Sequence, residues 1–339
     1  MTRVPTISIV VPTYNRLERL RRVLSALADQ TYPADDLEII VVSDGASDGT
    51  DDYMRRVCQP NLIFVTQANA GPAVARNTGV DHARGRIVLF VDDDVIATPC
   101  LVARHVECHR QHGPGTVVIG PMLTPPDFRM SPWTRWEQTM LYKQYAAMER
   151  GDYAPTSRQF YTGNASVGRS ELTAAGGFDP RFRRAEDVEL AYRLEAAGLK
   201  FVFDFEAIGY HYADRTFESW LRIASEYGTN DVVFACEGRR WMLGRLAEEY
   251  SYRNLLVRLV TTACLDHPKL RSPLLATLKA VAAAGARVGA ERLTRSALSG
   301  IYHIAYYQGA VDQLGGAASF RRLLRSCRQA KAEMRTEAA

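Results

Sequence analysis

Three consecutive carboxylates, Asp92, Asp93 and Asp94, directly follow the apolar run Ile87 to Val91. Crowding three negative charges costs energy unless a cation neutralises them. Oxygen ligands of this kind suit Mg²⁺ or Mn²⁺, which use one or two carboxylates and complete their shells with water and phosphate oxygens. Taken alone, the triplet is equally an acidic loop capping a helix that begins near Pro99. A second acidic pair, Glu186-Asp187, opens a helix-like stretch, where a carboxylate also serves as a cap or dipole partner. His211, within Gly209-Tyr210-His211-Tyr212, is a lone histidine. His105, Cys108, His109 and His112 share one exposed-looking helix; without a second ligand arm they are expected to bind no zinc.

These residues need a scaffold, and the first hundred positions supply one. Ile7 to Val11 is a short β-branched run that reads as a strand buried on both faces. Arg16 to Gln30 places Leu17, Leu20, Val23, Leu24 and Leu27 on one helical stripe. Further strands are expected over Glu38 to Val42, Leu62 to Val65 and Ile87 to Val91, with helices over Asp51 to Cys58 and Pro72 to Ala83. Repeated βα units of this kind specify a Rossmann-like, mostly parallel sheet flanked by helices, and ligands bind at the carboxyl ends of its strands. Beyond Thr216 the pattern is mostly helical, with helices expected over Leu274 to Ala297 and Ser299 to Leu314.

The order of the motifs carries more than any one of them. Val11-Pro12-Thr13-Tyr14-Asn15 follows the first strand, Gln30-Thr31-Tyr32-Pro33 closes the first helix, and Ser43-Asp44-Gly45-Ala46-Ser47-Asp48-Gly49 follows the second strand. Asn69-Ala70-Gly71-Pro72 leads to Ala75-Arg76-Asn77, then come the triplet, Thr162-Gly163-Asn164, Gly176-Gly177-Phe178-Asp179 and Glu186-Asp187. Over about Ile7 to Tyr227 this order resembles the family 2 glycosyltransferases, which have the GT-A fold. Ser43 departs from the family, which commonly has a first Asp there.

The resemblance implies roles. Pro12, Thr13 and Tyr14 would line the nucleoside pocket, Asp44 would accept a hydrogen bond from the base, and Arg76 would reach the ribose or a phosphate. Asp92 would face the ribose side of the donor with Asp93 supporting it, Asp94 and His211 would hold Mn²⁺ or Mg²⁺, and Gly163 with Asn164 would pack under the donor sugar. Asp187 would be the catalytic base, with Glu186 orienting the acceptor. For Asp44 a turn cap, and for Arg76 a structural ion pair with the acidic loops, are the competing roles. The implied activity is single, inverting transfer from a nucleotide-diphosphate sugar, a UDP-sugar being the expected donor, to a hydroxyl of a saccharide, lipid-linked or small-molecule acceptor.

Composition bounds the rest. With 24% charged and 47% hydrophobic residues in 339, the chain has the make-up of an ordinary soluble protein. We expect a nucleotide-sugar half over residues 1–115, an acceptor half over 116–234 and a helical extension over 235–339. That extension carries 17 Lys+Arg against 8 Asp+Glu, or +9, while the whole chain is +4. Its helices are expected either to lie on an anionic membrane surface or to pack as a cap or dimer interface. Scattered cysteines without a CxxC pair and a start that does not look like a leader lead us to expect a cytoplasmic protein, free or peripheral on the inner face of the membrane.

Other classes fit less well. Glu237-Gly238-Arg239-Arg240-Trp241 approaches the Gln-x-x-Arg-Trp motif of processive or lipid-linked polysaccharide synthases, but no spanning segment accompanies it. A nucleotidyltransferase would show a Gly-rich loop after the first strand, and Val11 to Arg16 has no glycine. A non-catalytic nucleotide-sugar-binding protein would be expected to lose a key acid, and none is lost. The basic residues are not interleaved with aromatics as a nucleic-acid surface requires.

Overall fold

The computed structural model describes residues 4–57, 59–239, 241–253, 255–265 and 267–337. The first three residues, Cys58 at the end of an expected helix, and Arg240 of the Gln-x-x-Arg-Trp-like run lie outside the described residues. Strand β1 (Ile7–Thr13) and helix α1 (Leu17–Ala28) open the chain, and α1 buries Leu20, Val23, Leu24 and Leu27, four of the five stripe residues. There follow β2 (Leu37–Asp44), α2 (Thr50–Met54), β3 (Leu62–Gln67), α3 (Pro72–His82) and β4 (Ile87–Val91). The βα reading of this half holds, with β1 and β2 each extending two residues further toward their carboxyl ends than expected.

After β4 come β5 (Val95–Ala97), α4 (Leu101–His112), β6 (Thr116–Ile119), β7 (Met122–Leu123) and α5 (Pro132–Glu149). They are followed by β8 (Asn164–Gly168), α6 (Arg169–Ala174), α7 (Glu186–Ala196), β9 (Lys200–Phe203) and β10 (Gly209–His211). The main sheet runs β3-β2-β1-β4-β8-β6-β9, parallel except for β8, and β5-β10-β7 form a small second sheet. The chain leaves β1 toward β2 and β3, then returns to pair β4 on the other side of β1. That reversal is a topological switch point, and it opens a crevice between the carboxyl ends of β1 and β4. Apolar clusters fill both faces of the sheet, one beneath α1 and α4, the other beneath α3, α6 and α7. Gly79 lets α3 lie directly on β1: a Cβ there would stand 2.4 Å from Val10 Cγ1.

Contacts divide the chain into two units, Met1–Arg129 with Gln138–Ala213, and Met130–Glu137 with Asp214–Ala339. The second unit contains α8 (Phe217–Cys236), α9 (Trp241–Tyr252), α10 (Leu255–Cys264), α11 (Pro268–Arg287), α12 (Glu291–Gln313) and α13 (Ala317–Glu337). Its core joins Val232, Leu246, Tyr250, Tyr307, Val311 and Phe320. The expected helix over Leu274 to Ala297 is in fact two, because Gly289, at φ +72°, breaks it before α12 begins. Among the described residues no helix is long and apolar enough to cross a membrane.

Candidate active site

The triplet sits at the carboxyl end of β4, in the switch-point crevice. Asp93 is buried and receives Thr13 Oγ1 at 2.9 Å across that crevice, from the end of β1. Arg16 Nη1 donates to Asp93 Oδ1 at 2.8 Å and to Asp94 Oδ2 at 2.9 Å, and Arg19 Nη1 stands 3.5 Å from the same Asp94 oxygen. Asn15, held at φ +52° and accepting the Ser47 N–H at 2.7 Å, turns the chain so that Arg16 meets the triplet. Asn tolerates this left-handed conformation better than most residues. Burial pushes the Asp93 carboxyl up to about 6, and neighbouring Asp94 adds to that, against the pull of Arg16.

His211 reaches the triplet through strand pairing rather than through sequence proximity. In the β5–β10 ladder His211 stands opposite Val95, and Tyr212 N–H donates to Asp94 O at 2.9 Å. His211 Nε2 then lies 3.5 Å from Asp94 Oδ1. Among the described residues no three His, Cys, Asp or Glu side chains are grouped as a ready-made metal cage. The Asp94–His211 pair offers two ligands, which fits a Mg²⁺ or Mn²⁺ ion that takes the rest of its shell from diphosphate and water.

Arg76 joins the triplet to the second acidic pair. Its Nη2 donates to Asp92 Oδ1 at 2.8 Å and its Nη1 to Glu186 Oε1 at 2.6 Å, with the side chain buried. Burial opposes its charge, yet the Asp92 and Glu186 carboxylates together outweigh that and raise its pKa. The fork thus spans carboxylates 94 positions apart in sequence, the ion-pair arrangement that stood as the alternative for Arg76. Its neighbour Asn77 does the parallel job for the Gly-Gly-Phe turn, exchanging two hydrogen bonds of 2.8 Å with the Phe178 backbone.

Asp187 lies in the first turn of α7 beside Glu186. Ala185, the residue before the pair, is held at φ +60°, a conformation that costs an alanine about 1 kcal/mol. Part of the Asp187 residue reaches solvent, but its carboxyl is deeply enclosed. Enclosure, then the charge of Glu186, push that carboxyl up to about 7, against the pull of Arg76. A carboxylate titrating near neutrality is what a general base requires.

Two further residues of the expected donor site, Asp44 and Asn164, have side chains committed within the protein. Asp44 Oδ1 accepts from Gln67 Nε2 at 2.7 Å and Ala70 N at 2.9 Å, and Oδ2 from Gly71 N at 2.9 Å and Asn69 Nδ2 at 3.3 Å. Its acceptor capacity is spent pinning the loop before α3, so a nucleobase reaching it must displace one of these donors. Ser43, the departure from the family pattern, turns its hydroxyl to Asp51 Oδ1 at 2.5 Å. Asn164 is fully buried, donating to Pro121 O and Ala207 O and meeting His105 Nε2 at 2.9 Å. It offers no surface to a donor, and the neighbouring Gly163 is the residue that faces Asp92: a Cβ there would stand 3.2 Å from Asp92 Oδ2. Tyr14 is exposed at the mouth, and Pro12 is partly buried in β1.

The helix expected to expose His105 buries it. His105 Nδ1 and His109 Nε2 both meet Ser166 Oγ, at 2.8 and 2.9 Å, and burial holds both imidazoles down to about 4 and therefore neutral. Because the Asn164 amide nitrogen is committed to two carbonyls, its oxygen accepts from His105 Nε2–H, so Ser166 donates to His105 Nδ1 and accepts from His109. This chain braces β8 below Gly163. Leu101, Val102 and Cys108 fall on the same helical face as His105, and that spacing is the signal that marks the histidine as inward-facing.

The glycosyl transferase family 2 model matches residues 8–176, about half of the chain and most of the sheet that carries the crevice. The chain belongs to glycosyltransferase family 2. This glycosyltransferase is 32% identical over 238 residues to validoxylamine A glucosyltransferase of Streptomyces hygroscopicus subsp. jinggangensis, an alignment covering 61% of this chain and 56% of that one. It therefore spans about half the length of the curated relatives it matches first. Among solved structures, the mannosyltransferase PcManGT from Pyrobaculum calidifontis, in complex with GDP-Man and Mn²⁺, superposes with a TM-score of 0.63 at 20% identity, covering 92% of this chain and 89% of that one. The S. aureus TarS fragment in complex with UDP-GlcNAc gives 0.55 at 18% identity, with 96% and 92% coverage. Both likenesses are of fold, and they agree that the glycosyltransferase has a GT-A sheet with a helical C-terminal part.

Proposed function

We propose that this glycosyltransferase moves a single sugar from a nucleotide-diphosphate sugar, a UDP-sugar being the expected donor, to an acceptor hydroxyl with inversion. The observation that carries the reading is the Arg76 bridge. It ties the triplet to Glu186-Asp187, so that an acidic donor crevice and a carboxyl poised near neutrality share one frame. The two fold neighbours in complex with a nucleotide sugar, one of them also with Mn²⁺, support the donor class.

In this reading Pro12 to Tyr14 and the Asp44–Gly45 turn frame the nucleoside, and Asp94 with His211 holds a divalent cation. When bound, that cation neutralises charge on the departing diphosphate. Asp92, fixed by Arg76, and Gly163 shape the floor under the donor sugar. Asp187 takes the proton from the acceptor hydroxyl, whose oxygen attacks the anomeric carbon opposite the leaving group. Glu186, neutralised by Arg76, orients the acceptor side. The sugar, the acceptor and the inversion are parts of the proposal.

Hydrolysis of a panel of nucleotide sugars tests it. At least one donor is expected to be turned over with Mn²⁺ or Mg²⁺ and not with chelator, and Asp94→Asn is expected to lower that turnover at least about 100-fold through loss of a charged ligand. Equal turnover by Asp94→Asn would remove Asp94 from the metal site.

A further inference from the structure

Asp94 is claimed twice over. The proposed cation must bind its carboxylate, yet two guanidinium groups from α1 already face one of its oxygens, Arg16 at 2.9 Å and Arg19 at 3.5 Å. Arg16 also holds Asp93 at 2.8 Å, so it bridges two members of the triplet. A divalent ion placed on Asp94 would stand within a few ångströms of that positive charge, where repulsion is large in a partly enclosed crevice. The two occupants exclude one another, and Arg16 is the one able to leave. Its side chain is 45% exposed, whereas those of Asp93 and Asp94 are 7% and 10% exposed and anchored in the crevice.

Resting on the metal-dependent reading above, we propose that Arg16 is a displaceable counter-cation of the donor site. Without metal it neutralises Asp93 and Asp94; when the cation arrives with a diphosphate, the guanidinium swings off Asp94 and pairs with phosphate oxygens instead. A planar fork at the end of a flexible stem suits both partners, carboxylate and phosphate alike. The donor and the metal then bind synergistically, because the nucleotide supplies the anion that the displaced arginine needs. Arg19, farther from Asp94, plays the lesser part.

Titrating Mn²⁺ alone, followed by the electron paramagnetic resonance signal of the free ion, tests this. Arg16→Gln is expected to bind Mn²⁺ about tenfold more tightly than the wild type in the absence of nucleotide, since a competing charge has been removed. Arg16→Lys, which keeps the charge, is expected to stay near the wild type. Adding UDP should tighten Mn²⁺ binding by a larger factor in the wild type than in Arg16→Gln. Mn²⁺ affinity that is unchanged or weaker in Arg16→Gln overturns the displacement while leaving the metal site intact. Failure of every form to bind Mn²⁺, with and without UDP, removes the metal reading itself and this inference with it.

Discussion

Asp187→Asn is expected to lower kcat by about 10²–10⁴-fold, the range typical of losing a general base, while donor binding stays close to that of the wild type. The same substitution has a stability signature with a definite sign. The folded carboxyl is held up at about 7, whereas an unfolded Asp titrates near 3.9. Between those values the folded protein keeps a proton that the unfolded chain releases, so stability falls as pH rises through this window. Asparagine has no proton to lose. The variant should therefore be more stable than the wild type at pH 8, on the order of a few kcal/mol, with the gap closing toward pH 4. For activity, kcat/KM of the wild type should rise as pH increases through about 7, as the base becomes charged. Urea unfolding at pH 4.5 and 8, beside a pH–rate profile, reads both effects. Full transfer by Asp187→Asn would exclude it as the base, and an equal stability difference at both pH values would exclude the raised pKa.

The second large effect falls on Arg76. Replacing it with Met keeps much of the aliphatic volume but removes the charge shared by Glu186 and Asp92. Glu186 is left buried without its partner, and breaking a buried pair from one side costs about 3–5 kcal/mol. Asp92, with a third of its side chain exposed, contributes less, because solvent screens it. Arg76→Lys should be little better, since one ammonium cannot span two carboxylates as the fork does. Adding Glu186→Gln to Arg76→Met should recover part of the lost stability, because a neutral amide tolerates burial better than an orphaned carboxylate. Urea midpoints of the single and double variants measure this. A loss under about 1 kcal/mol for Arg76→Met would mean that the bridge carries little of the frame.

The bridge also shows what sequence reasoning reaches. The strands, the α1 stripe and the placement of the triplet at a strand end follow from short-range patterns of apolar residues, and they stand as expected. What escapes is the pairing of distant side chains. Arg76 and Glu186 are 110 positions apart, and nothing local says that they meet. His211 comes beside Asp94 through a ladder of three-residue strands, too short to show a period of two. Arg16 looks like the polar start of an amphipathic helix, and its hold on the triplet depends on the left-handed turn at Asn15. His105 was more legible than it first seems, because its helical spacing from Leu101, Val102 and Cys108 already points inward.

These pairings redistribute roles within one site. Asp44, Arg76 and Asn164 fix the positions of their neighbours: a loop, two carboxylates and a strand end. Gly163, Asp92, Asp94 and Asp187 are the groups proposed to face the reactants. Binding of nucleoside diphosphates, measured calorimetrically with and without Mn²⁺, tests this division and the donor site most directly. UDP, or failing it GDP, should bind more tightly with Mn²⁺ than without, and Asp94→Asn should erase the difference. If no nucleoside diphosphate binds under either condition, the crevice between β1 and β4 is not a nucleotide-sugar site and the account fails.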